Sequence, residues 1–553
     1  MLAALFLSLG LLVSTAYGAP TVTIGRTTVV GTEFDPARVE FFGGIPFAQP
    51  PVGQLRLAPP VLTTTINTPR FDASKFGSAC LQTALPAGQV SEDCLNLNIF
   101  RPAGTRQTAN LPVMVWIYGG GFVMGASSLY NGTEIVARSV ARGTPVIFAS
   151  INYRVGPLGF PQGIEAGQRG LTNLGLQDQL VALEWMQANI ARFGGDRSKV
   201  TVIGESAGAV SINIHLLETN IRQLARAAIL ESTATSPTFG PERNEAQWQQ
   251  FVAAVPACTS AVGSSDTFDC IRSSDSASLL RALTISGISG TNGSFGPVID
   301  GPEGLLTDRP SQLTLQARLP TLIGSNLDEG TLFTPQGTNS PNQINDALTA
   351  LTTPSEIANP IFLGETVQEI DELYPDTPAL GSPFGTGNNT FGLNGEFKRF
   401  ASVFGDFLFQ SSRRTFTQDA SDAGISVFAY LFTDPDAVVM PELLSVIFPN
   451  SPPAPGSLGV AHSTEINYVF NTLINKTPTA QALSITMQDY WLSFVTSLTP
   501  NDGRGSRRPF WQQYTSNNQI LMELNGHNTA LMSDDFRPDQ ILFFQNSEDA
   551  LHR

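Results

Sequence analysis

A serine between small residues carries the clearest chemical signal in this 553-residue sequence. Ser206 is the central residue of GESAG, residues 204–208, which fits the pattern G-x-S-x-G. An apolar run precedes the motif and small residues follow it, which predicts a strand, a sharp turn and a helix. Side chains two residues before and after the serine would collide in such a turn, so glycine occupies both positions. The motif predicts a nucleophile elbow that exposes the Ser206 hydroxyl; the alternative is a serine that only caps a helix.

A serine hydroxyl is too weak an acid to attack an ester unaided, so it needs a histidine base, which in turn needs a carboxylate. The chain has four histidines. His215 lies nine residues after Ser206 on the same predicted helix, too far along it to reach back. His552 stands next to the last residue, and His527 lies in a predicted surface loop. His462 follows a loop rich in proline and glycine and precedes an apolar stretch, which favours it over His527 as the base.

The acid is expected on the turn that follows the apolar run LPTLIGS. A carboxylate there would lie at the carboxyl end of a strand, beside the elbow. Asp328 and Glu329 are neighbours on this turn, so we expect only one of them to point inward. The residue types by themselves leave the choice between these two acids open.

Three consecutive glycines offer a place for the negative charge that an attacked ester develops. Gly119, Gly120 and Gly121 directly follow a predicted strand in WIYGGGFVMG. Their bare amides can approach a ligand and, with the amide of Ala207, can hold a tetrahedral oxyanion. Each such donor is typically worth about 10² to 10³ in rate. The alternative interpretation is a flexible turn.

Apolar runs bounded by turns place these residues on a sheet. Strands are predicted over residues 113–118, 146–153 and 200–203. All three are apolar on both faces, as strands covered by helices must be. Between the second and the third, NLGLQDQLVALEWMQANIARFGGD carries leucines at helical spacing and ends on two glycines. This order predicts a right-handed parallel crossover and an α/β fold, whereas residues 340–480 read as loops with helical pieces.

Charge and composition narrow the function. The net charge of −16 and the pI near 4.7 argue against a nucleic-acid partner, whose phosphates the protein would repel. The opening MLAALFLSLGLLVSTAYGAP has a short apolar core and a small-x-small cleavage pattern, which predicts a signal peptide over residues 1–18; a buried N-terminal helix is the alternative. No later apolar run is long enough to span a bilayer. We expect a secreted protein with one large α/β domain over residues 19–553.

Cysteines and glycosylation sequons fit the same interpretation. Four cysteines allow three pairings, and proximity in sequence favours Cys80–Cys94 and Cys258–Cys270. Closing a loop of that length is worth roughly 3 kcal/mol. The cysteines do not fit a metal site, because no CxxC pair or histidine lies nearby. Sequons occur at Asn131, Asn292, Asn388 and Asn475, of which the last is a poorer acceptor because Pro478 follows its threonine.

Several motifs together point to one family. They are FFGGIPFAQPPVGQLRLAPP, SEDCLNLNIFRP, YGGGF, NYRVGPLGF, NLGLQDQLVALEWMQANIARFGGD, GESAGAVS, FGPVIDGP, GSNLDEGTLF and GVAHSTEINYVF, with PFWQQY nearer the end. The chain resembles the type-B carboxylesterase/lipase family, the cholinesterase-like α/β-hydrolases, and within it the secreted fungal carboxylesterases and lipases. The resemblance implies the α/β-hydrolase fold, with a large, mostly parallel central sheet flanked by helices. The order serine, acid, histidine also matches that fold.

The resemblance assigns roles to the residues that match family motifs. It implies Ser206 as the nucleophile, His462 as the base, and Glu329 rather than Asp328 as the acid. The oxyanion donors that it implies are Gly120, Gly121 and Ala207. It implies no cofactor and no metal.

The first disulfide loop narrows the branch of the family. The pairing Cys80–Cys94 corresponds to the family's first disulfide. Cholinesterases place a tryptophan in this loop to stack on the choline cation. Here the loop LQTALPAGQVSED has no aromatic residue, so a choline site is not expected. Only 13 residues separate the cysteines, so any lid in this loop is short, which favours an open gorge and an esterase without excluding a lipase.

Phenylalanines beside the matched motifs are candidates for the substrate pocket. Phe295 precedes GPVIDGP, and Phe333 ends DEGTLF. Four other phenylalanines recur at helical spacing, and for them core packing is favoured over an acyl pocket. They are Phe397, Phe400, Phe404 and Phe407.

These observations predict a secreted serine hydrolase that cleaves carboxylic esters through a Ser-His-Glu triad and an acyl-enzyme. Its partner is a small-molecule or lipid ester, and acylglycerols, steryl esters and hydroxycinnamate esters all fit. The first alternative is a true lipase or steryl esterase acting on long-chain esters. The second is a non-catalytic adhesion protein, but such relatives usually lack the serine or the histidine, and both are present here.

Overall fold

The core of the protein is built on an eleven-stranded sheet. The computed structural model describes residues 18–217, 220–286, 295–352 and 360–553. The strands in chain order are β1 (Thr21–Ile24), β2 (Thr27–Val30), β3 (Thr32–Phe34), β4 (Val39–Pro46), β5 (Arg70–Asp72), β6 (Asn96–Pro102), β7 (Leu111–Ile117), β8 (Ile147–Ile151), β9 (Gly195–Glu205), β10 (Ala227–Glu231), β11 (Thr321–Asn326), β12 (Val427–Phe432), β13 (Ile520–Leu524) and β14 (Ala530–Ser533). The predicted signal peptide over residues 1–18 lies outside the described residues apart from Gly18.

The main sheet is parallel through its centre and antiparallel at both edges. Its order is β14-β13-β12-β11-β10-β9-β7-β8-β6-β4-β3, and β1, β2 and β5 form a separate small sheet. In this order, every pairing between neighbours from β13 to β8, including β7, is parallel. The pairings outside that range, at the two edges, are antiparallel. Every residue of β8, β10, β11 and β12 is buried, which explains why these strands are mostly apolar.

Helices cover the two faces of the sheet and supply its crossovers. In chain order they are α1 (Thr133–Ala141), α2 (Gly156–Gly159), α3 (Ile164–Arg169), α4 (Leu174–Asn189), α5 (Ala207–Leu217), α6 (Glu245–Ala254), α7 (Thr267–Ser273), α8 (Ser276–Ile285), α9 (Pro341–Thr352), α10 (Pro360–Leu373), α11 (Gly395–Gly405), α12 (Ser411–Asp422), α13 (Pro441–Ile447), α14 (Ile466–Val469), α15 (Pro478–Ser497) and α16 (Pro538–Asn546). Among the described residues, every helix is too short or too polar to cross a bilayer.

The predicted strand-helix-strand unit is present, with shifted ends. The three predicted strands correspond to β7, β8 and β9, and α4 connects the last two. The helix ends at Asn189, and a short 3₁₀ turn carries the chain to Gly194, whose φ is +89°. The region over 340–480 also contains β12, a buried strand that its loop-rich sequence does not reveal.

A second, smaller core packs away from the sheet. It joins side chains of α9, α10, α11 and α16 with the π-helical turn over Asp406–Gln410. Phe400, Phe404 and Phe407 lie in this cluster, and Phe397 is also fully buried. Core packing therefore explains this helical phenylalanine series. Phe404 also lines a large cavity, the one that Ser206 and His462 line.

The parallel strands bring the motif residues to one edge of the sheet. Because β7, β9, β10 and β11 run in the same direction, their carboxyl ends lie side by side. The residues just beyond these ends include the triple glycine, Ser206, Ser232 and Glu329. Residues far apart in the sequence thus meet at one site.

Candidate active site

Ser206 lies on the sharp junction between β9 and α5. Its φ of +53° is in the left-handed region, and its N–H donates to the carbonyl of Glu231, 3.0 Å away. A Cβ at Gly204 would lie 2.6 Å from the carbonyl carbon of Gly208. A Cβ at Gly208 would lie 2.0 Å from the carbonyl oxygen of Ile117. The close approach of three backbone segments therefore requires glycine on both sides of the serine.

Glu329 holds the ring of His462 from the turn after β11. Nδ1 of His462 lies 2.6 Å from Oε2 of Glu329, and Nδ1 donates because an ionised carboxylate only accepts. The other carboxylate oxygen accepts the N–H of Asn326 at 2.7 Å and the hydroxyl of Ser232 at 2.6 Å. Glu329 is fully buried and His462 is 3% exposed. This is the geometry of an acid that orients a base.

The second nitrogen of the His462 ring lies beside the elbow. Nε2 is 3.2 Å from Oε1 of Glu205, the residue before Ser206. Nε2 makes no hydrogen bond to any residue that the structure describes. His462 and Ser206 line the same cavity. Nε2 is therefore free of hydrogen bonds within the described residues and belongs to the same cavity as the serine hydroxyl.

The charge around the imidazole favours its protonated form. Burial by itself lowers the pKa of His462, but the carboxylates of Glu205 and Glu329 outweigh it and raise the pKa to about 9. Glu205 is buried as well, and its Oε1 accepts the hydroxyl of Ser463 at 2.5 Å. Burial raises the pKa of Glu205, while the charge of His462 opposes that rise.

The glycine turn after β7 lies against the elbow. A Cβ at Gly119 would lie 2.7 Å from Cβ of Ser206. Gly120 and Gly121 follow with φ values of +111° and +60°. The N–H groups of Gly120, Gly121 and Ala207 have no acceptor among the described residues. Three unused donors beside a serine can bind an oxygen that gains negative charge.

A large cavity opens above these residues. Its volume is about 1570 Å³, and both Ser206 and His462 line it. Its wall is mostly apolar and includes Phe122, Phe295, Phe333, Leu408, Val446 and Phe448. Both predicted pocket residues, Phe295 and Phe333, are among them. Such a cavity can hold the hydrocarbon part of an ester.

Comparison with known proteins places these features in a family. The model of the Carboxylesterase family matches residues 18–543. The chain belongs to the carboxylesterase family. It is 34% identical to Lipase 2 of Geotrichum candidum over 95% of each chain. It is also 34% identical to Secreted lipase 1 of Botryotinia fuckeliana (strain B05.10), over 94% of this chain and 91% of the relative.

Solved structures agree with this carboxylesterase assignment. EstA of Aspergillus niger is similar with a TM-score of 0.80 and 25% identity, over 97% of this chain and 99% of the other. A PNB esterase is similar with a TM-score of 0.74 and 28% identity, over 95% of this chain and all of the other. The expected α/β-hydrolase fold is confirmed, and the protein is a carboxylic ester hydrolase.

Two aromatic rings pack against the imidazole of this carboxylesterase. The ring of Phe333 lies 5.1 Å from that of His462, and the ring of Phe409 lies 4.8 Å from it. The two phenylalanines stack on each other at 5.5 Å. The sequence singles out Phe333 because it ends the matched motif DEGTLF. Phe409 lies in no matched motif and directly follows the helical series of phenylalanines, so the sequence does not single it out.

Two further buried carboxyls, those of Glu231 and Glu465, lie near the site without any signal in the sequence. The indole N–H of Trp491 donates to Oε1 of Glu231 at 2.6 Å, and burial raises the pKa of Glu231 well above its usual range. Burial and the carboxylates of Glu205 and Glu329 raise the pKa of Glu465 to about 8. Both acids thus favour the neutral form, which limits the negative charge beside the imidazole. In contrast to Glu231 and Glu465, Glu205 can be located from the sequence, because it lies inside the GESAG motif.

The remaining predicted residues lie outside this centre. The structure contains both favoured disulfides, Cys80–Cys94 and Cys258–Cys270. His215 is buried on α5, where Nε2 contacts Gln179 at 2.9 Å, away from the elbow. Three predicted glycosylation residues are exposed, and Asn292 lies outside the described residues. The exposed ones are Asn131, Asn388 and Asn475.

Proposed function

We propose that this protein is a secreted serine carboxylesterase that works through Ser206, His462 and Glu329 and a covalent acyl-enzyme. One observation carries the proposal: Nδ1 of His462 is bonded to buried Glu329, while Nε2 lies unbonded beside the elbow. A histidine held in this way has one nitrogen committed to orientation and the other available for proton transfer. No step of the proposed reaction needs a cofactor or a metal.

Acylation begins when Nε2 of His462 takes the hydroxyl proton of Ser206. The serine oxygen attacks the ester carbonyl carbon, and the carbonyl oxygen becomes an oxyanion. The N–H groups of Gly120, Gly121 and Ala207 stabilise that charge. The imidazolium then gives its proton to the alcohol oxygen as the bond to the carbonyl carbon breaks, and the serine keeps the acyl group.

Deacylation repeats these steps with water. Nε2 of His462 takes a proton from water, whose oxygen attacks the acyl carbon. The serine oxygen leaves and receives that proton, which frees the acid and restores the enzyme. Glu329 stabilises the imidazolium in both halves and stays ionised.

The decisive experiment replaces Ser206. Ser206→Ala should lower kcat/KM on a p-nitrophenyl ester by at least about 10⁴-fold, because the nucleophile is lost. The variant should keep the unfolding temperature of the wild type and should not react with a fluorophosphonate probe. Ser128→Ala is the matched control, because Ser128 lines the same cavity and lies outside the GESAG motif. Retention of most activity in Ser206→Ala would reject the proposal.

A true lipase or steryl esterase is the second candidate. The volume of about 1570 Å³ and the mostly apolar wall support long-chain esters, and the relatives named above include lipases. Rates on short-chain p-nitrophenyl esters should be compared with rates on emulsified triolein and on a steryl oleate. Activity confined to the short-chain esters would reject the lipase candidate.

Secretion is part of the proposal. It is supported by the leader sequence over residues 1–18, by two disulfides and by a relative named a secreted lipase. We propose that residues 19–553 form a single catalytic domain, because one sheet takes strands from β3 to β14. N-terminal sequencing of the protein from culture medium tests the cleavage site.

A further inference from the structure

The loop that carries His462 closes around a carboxylate other than Glu329. This segment, residues 458–462, is called the histidine loop here. Oδ2 of Asp328 accepts the N–H of Val460 at 2.9 Å. The N–H of Asp328 donates to the carbonyl of the same valine at 3.0 Å. Asp328 therefore binds the loop through both its side chain and its backbone. Both bonds are made to Val460, two residues before His462.

The other oxygen of this carboxylate reaches a third segment. Oδ1 of Asp328 accepts the hydroxyl of Ser382 and the N–H of Phe384, each at 2.8 Å. Both donors come from the connection between α10 and α11. One carboxylate thus joins the turn after β11, the histidine loop and this connection.

The fit around Asp328 is tight. The residue is 2% exposed. Gly459 has a φ of +56°, and a Cβ there would lie 2.4 Å from Oδ2 of Asp328. Thr331 adds a second link, because its hydroxyl donates to the carbonyl of Leu458 at 2.7 Å. The histidine loop has little freedom to shift while these contacts hold.

We propose that Asp328 is a positioning residue for the ester hydrolysis described above. It fixes the histidine loop so that the ring of His462 meets Glu329 and Nε2 stays beside Ser206. The two neighbouring acids have different roles: Glu329 binds the imidazole ring, and Asp328 binds the backbone of the loop that carries this ring. The proposal rests on the proposed function of Ser206 and His462.

The chemistry of the contacts calls for a carboxylate. Three donors, two N–H groups and one hydroxyl, converge on Asp328 from opposite sides. A carboxylate accepts on both oxygens, whereas an asparagine accepts on one and presents N–H groups on the other side. Asp328→Asn therefore keeps the shape but sets an N–H against either Val460 or Phe384. A displacement of about 1 Å at the base can cost about 10²-fold in rate.

The test compares Asp328→Asn with Asp434→Asn. Asp434 is also fully buried and also caps backbone N–H groups, but these belong to Asp436 and Gly526 and not to the histidine loop. Both variants should lose unfolding temperature. Asp328→Asn should lower kcat on a p-nitrophenyl ester and the rate of fluorophosphonate labelling by about tenfold or more, with KM within about threefold. Asp434→Asn should keep kcat within about twofold of the wild type.

A pH profile separates positioning from plain destabilisation. A looser contact between Glu329 and His462 stabilises the imidazolium less, so the acidic limb of kcat/KM in Asp328→Asn should move to lower pH.

A second variant covers the case in which Asp328→Asn does not fold. Ser382→Ala removes one donor and leaves the carboxylate, and it should lower kcat about threefold or more. The proposal is overturned by a wild-type kcat and pH limb in Asp328→Asn, by a wild-type kcat in Ser382→Ala, or by equal loss in Asp434→Asn. If Ser206→Ala stays active, the proposed function itself fails; if it is inactive and Asp328→Asn is normal, only this inference fails.

Discussion

At the scale of single residues, the imidazole of His462 works in an acidic environment. Nδ1 contacts Glu329, and Nε2 lies 3.2 Å from Oε1 of Glu205. In the proposed reaction, the neighbouring negative charge stabilises the imidazolium that forms, but it also keeps the imidazole of the free enzyme protonated to a higher pH. Burial opposes this effect without cancelling it. The electrostatics of the site therefore favour alkaline activity.

The first prediction concerns this pH dependence. Only neutral imidazole accepts the serine proton, and the pKa of His462 is raised to about 9, so kcat/KM should rise with pH and level off above that value. Glu205→Gln removes a negative charge and should move the midpoint of the rise to lower pH. The profile is measured on a p-nitrophenyl ester with subtraction of the uncatalysed rate. A wild-type midpoint at the ordinary histidine value of about 6.5 would contradict the prediction.

At the scale of elements, the elbow depends on how closely β7, β9 and α5 approach one another. The carbonyl of Ile117 at the end of β7 faces the first turn of α5, where Gly208 leaves room for it. The left-handed φ of Ser206 exists because these packed elements enforce it. Strain in the backbone of Ser206 and the packing of the sheet are thus linked.

The second prediction tests that link. Gly208→Ala would place a Cβ 2.0 Å from the carbonyl oxygen of Ile117, so α5 must shift. We expect a loss of about 1–3 kcal/mol of stability or more, and fluorophosphonate labelling of Ser206 at least about tenfold slower. Gly337→Ala is the control, because its added Cβ meets nothing within 4 Å. Equal stability and labelling in the two variants would show that the elbow tolerates the extra methyl group.

The sequence predicts elements well where they follow a periodic pattern. β7, β8, β9 and α4 lie within a few residues of the predicted segments. The sequence does not predict β12, although all its residues are buried, because VFAYLF lies among loops and helical pieces with no flanking pattern of its own. Its place in the sheet follows from pairing with β11 and β13, which are distant in sequence.

At the scale of the whole molecule, two short cross-links brace regions beside the sheet. Cys80 and Cys94 are 14 residues apart, and Cys258 and Cys270 are 12 apart. The second pair ties the segment after α6 to α7, far from the elbow in sequence. Removing it should therefore affect stability more than chemistry.

The third prediction is that the double variant Cys258→Ser with Cys270→Ser loses about 3 kcal/mol of unfolding free energy in urea. The reason is the extra freedom that the unfolded chain gains. At temperatures where the variant stays folded, kcat on a p-nitrophenyl ester should stay within about twofold of the wild type. An unchanged urea midpoint would mean that this disulfide does not constrain the unfolded chain as expected.

The fourth prediction concerns glycosylation at Asn131. Asn131 is exposed and lines the cavity that contains Ser206, so a glycan there would stand at the cavity wall. Endoglycosidase treatment should lower the mass of the wild type, and Asn131→Gln should remove one glycan from it. KM for a bulky steryl ester should fall in Asn131→Gln, with KM for a p-nitrophenyl ester unchanged. Identical masses before and after endoglycosidase treatment would contradict the prediction.

The sequence by itself determined the features that follow local rules: the GESAG turn, the triple glycine after a strand, and the strand-helix-strand unit around them. The residue types could not choose between Asp328 and Glu329; the family resemblance favoured Glu329, and the tertiary structure shows where each acid points. The tertiary structure also decided that Ser232 contacts Glu329, that Glu205 lies beside the histidine, and that Phe409 packs against its ring. These contacts join residues separated by tens to hundreds of positions, and they depend on how loops pack above the sheet, which no local pattern encodes.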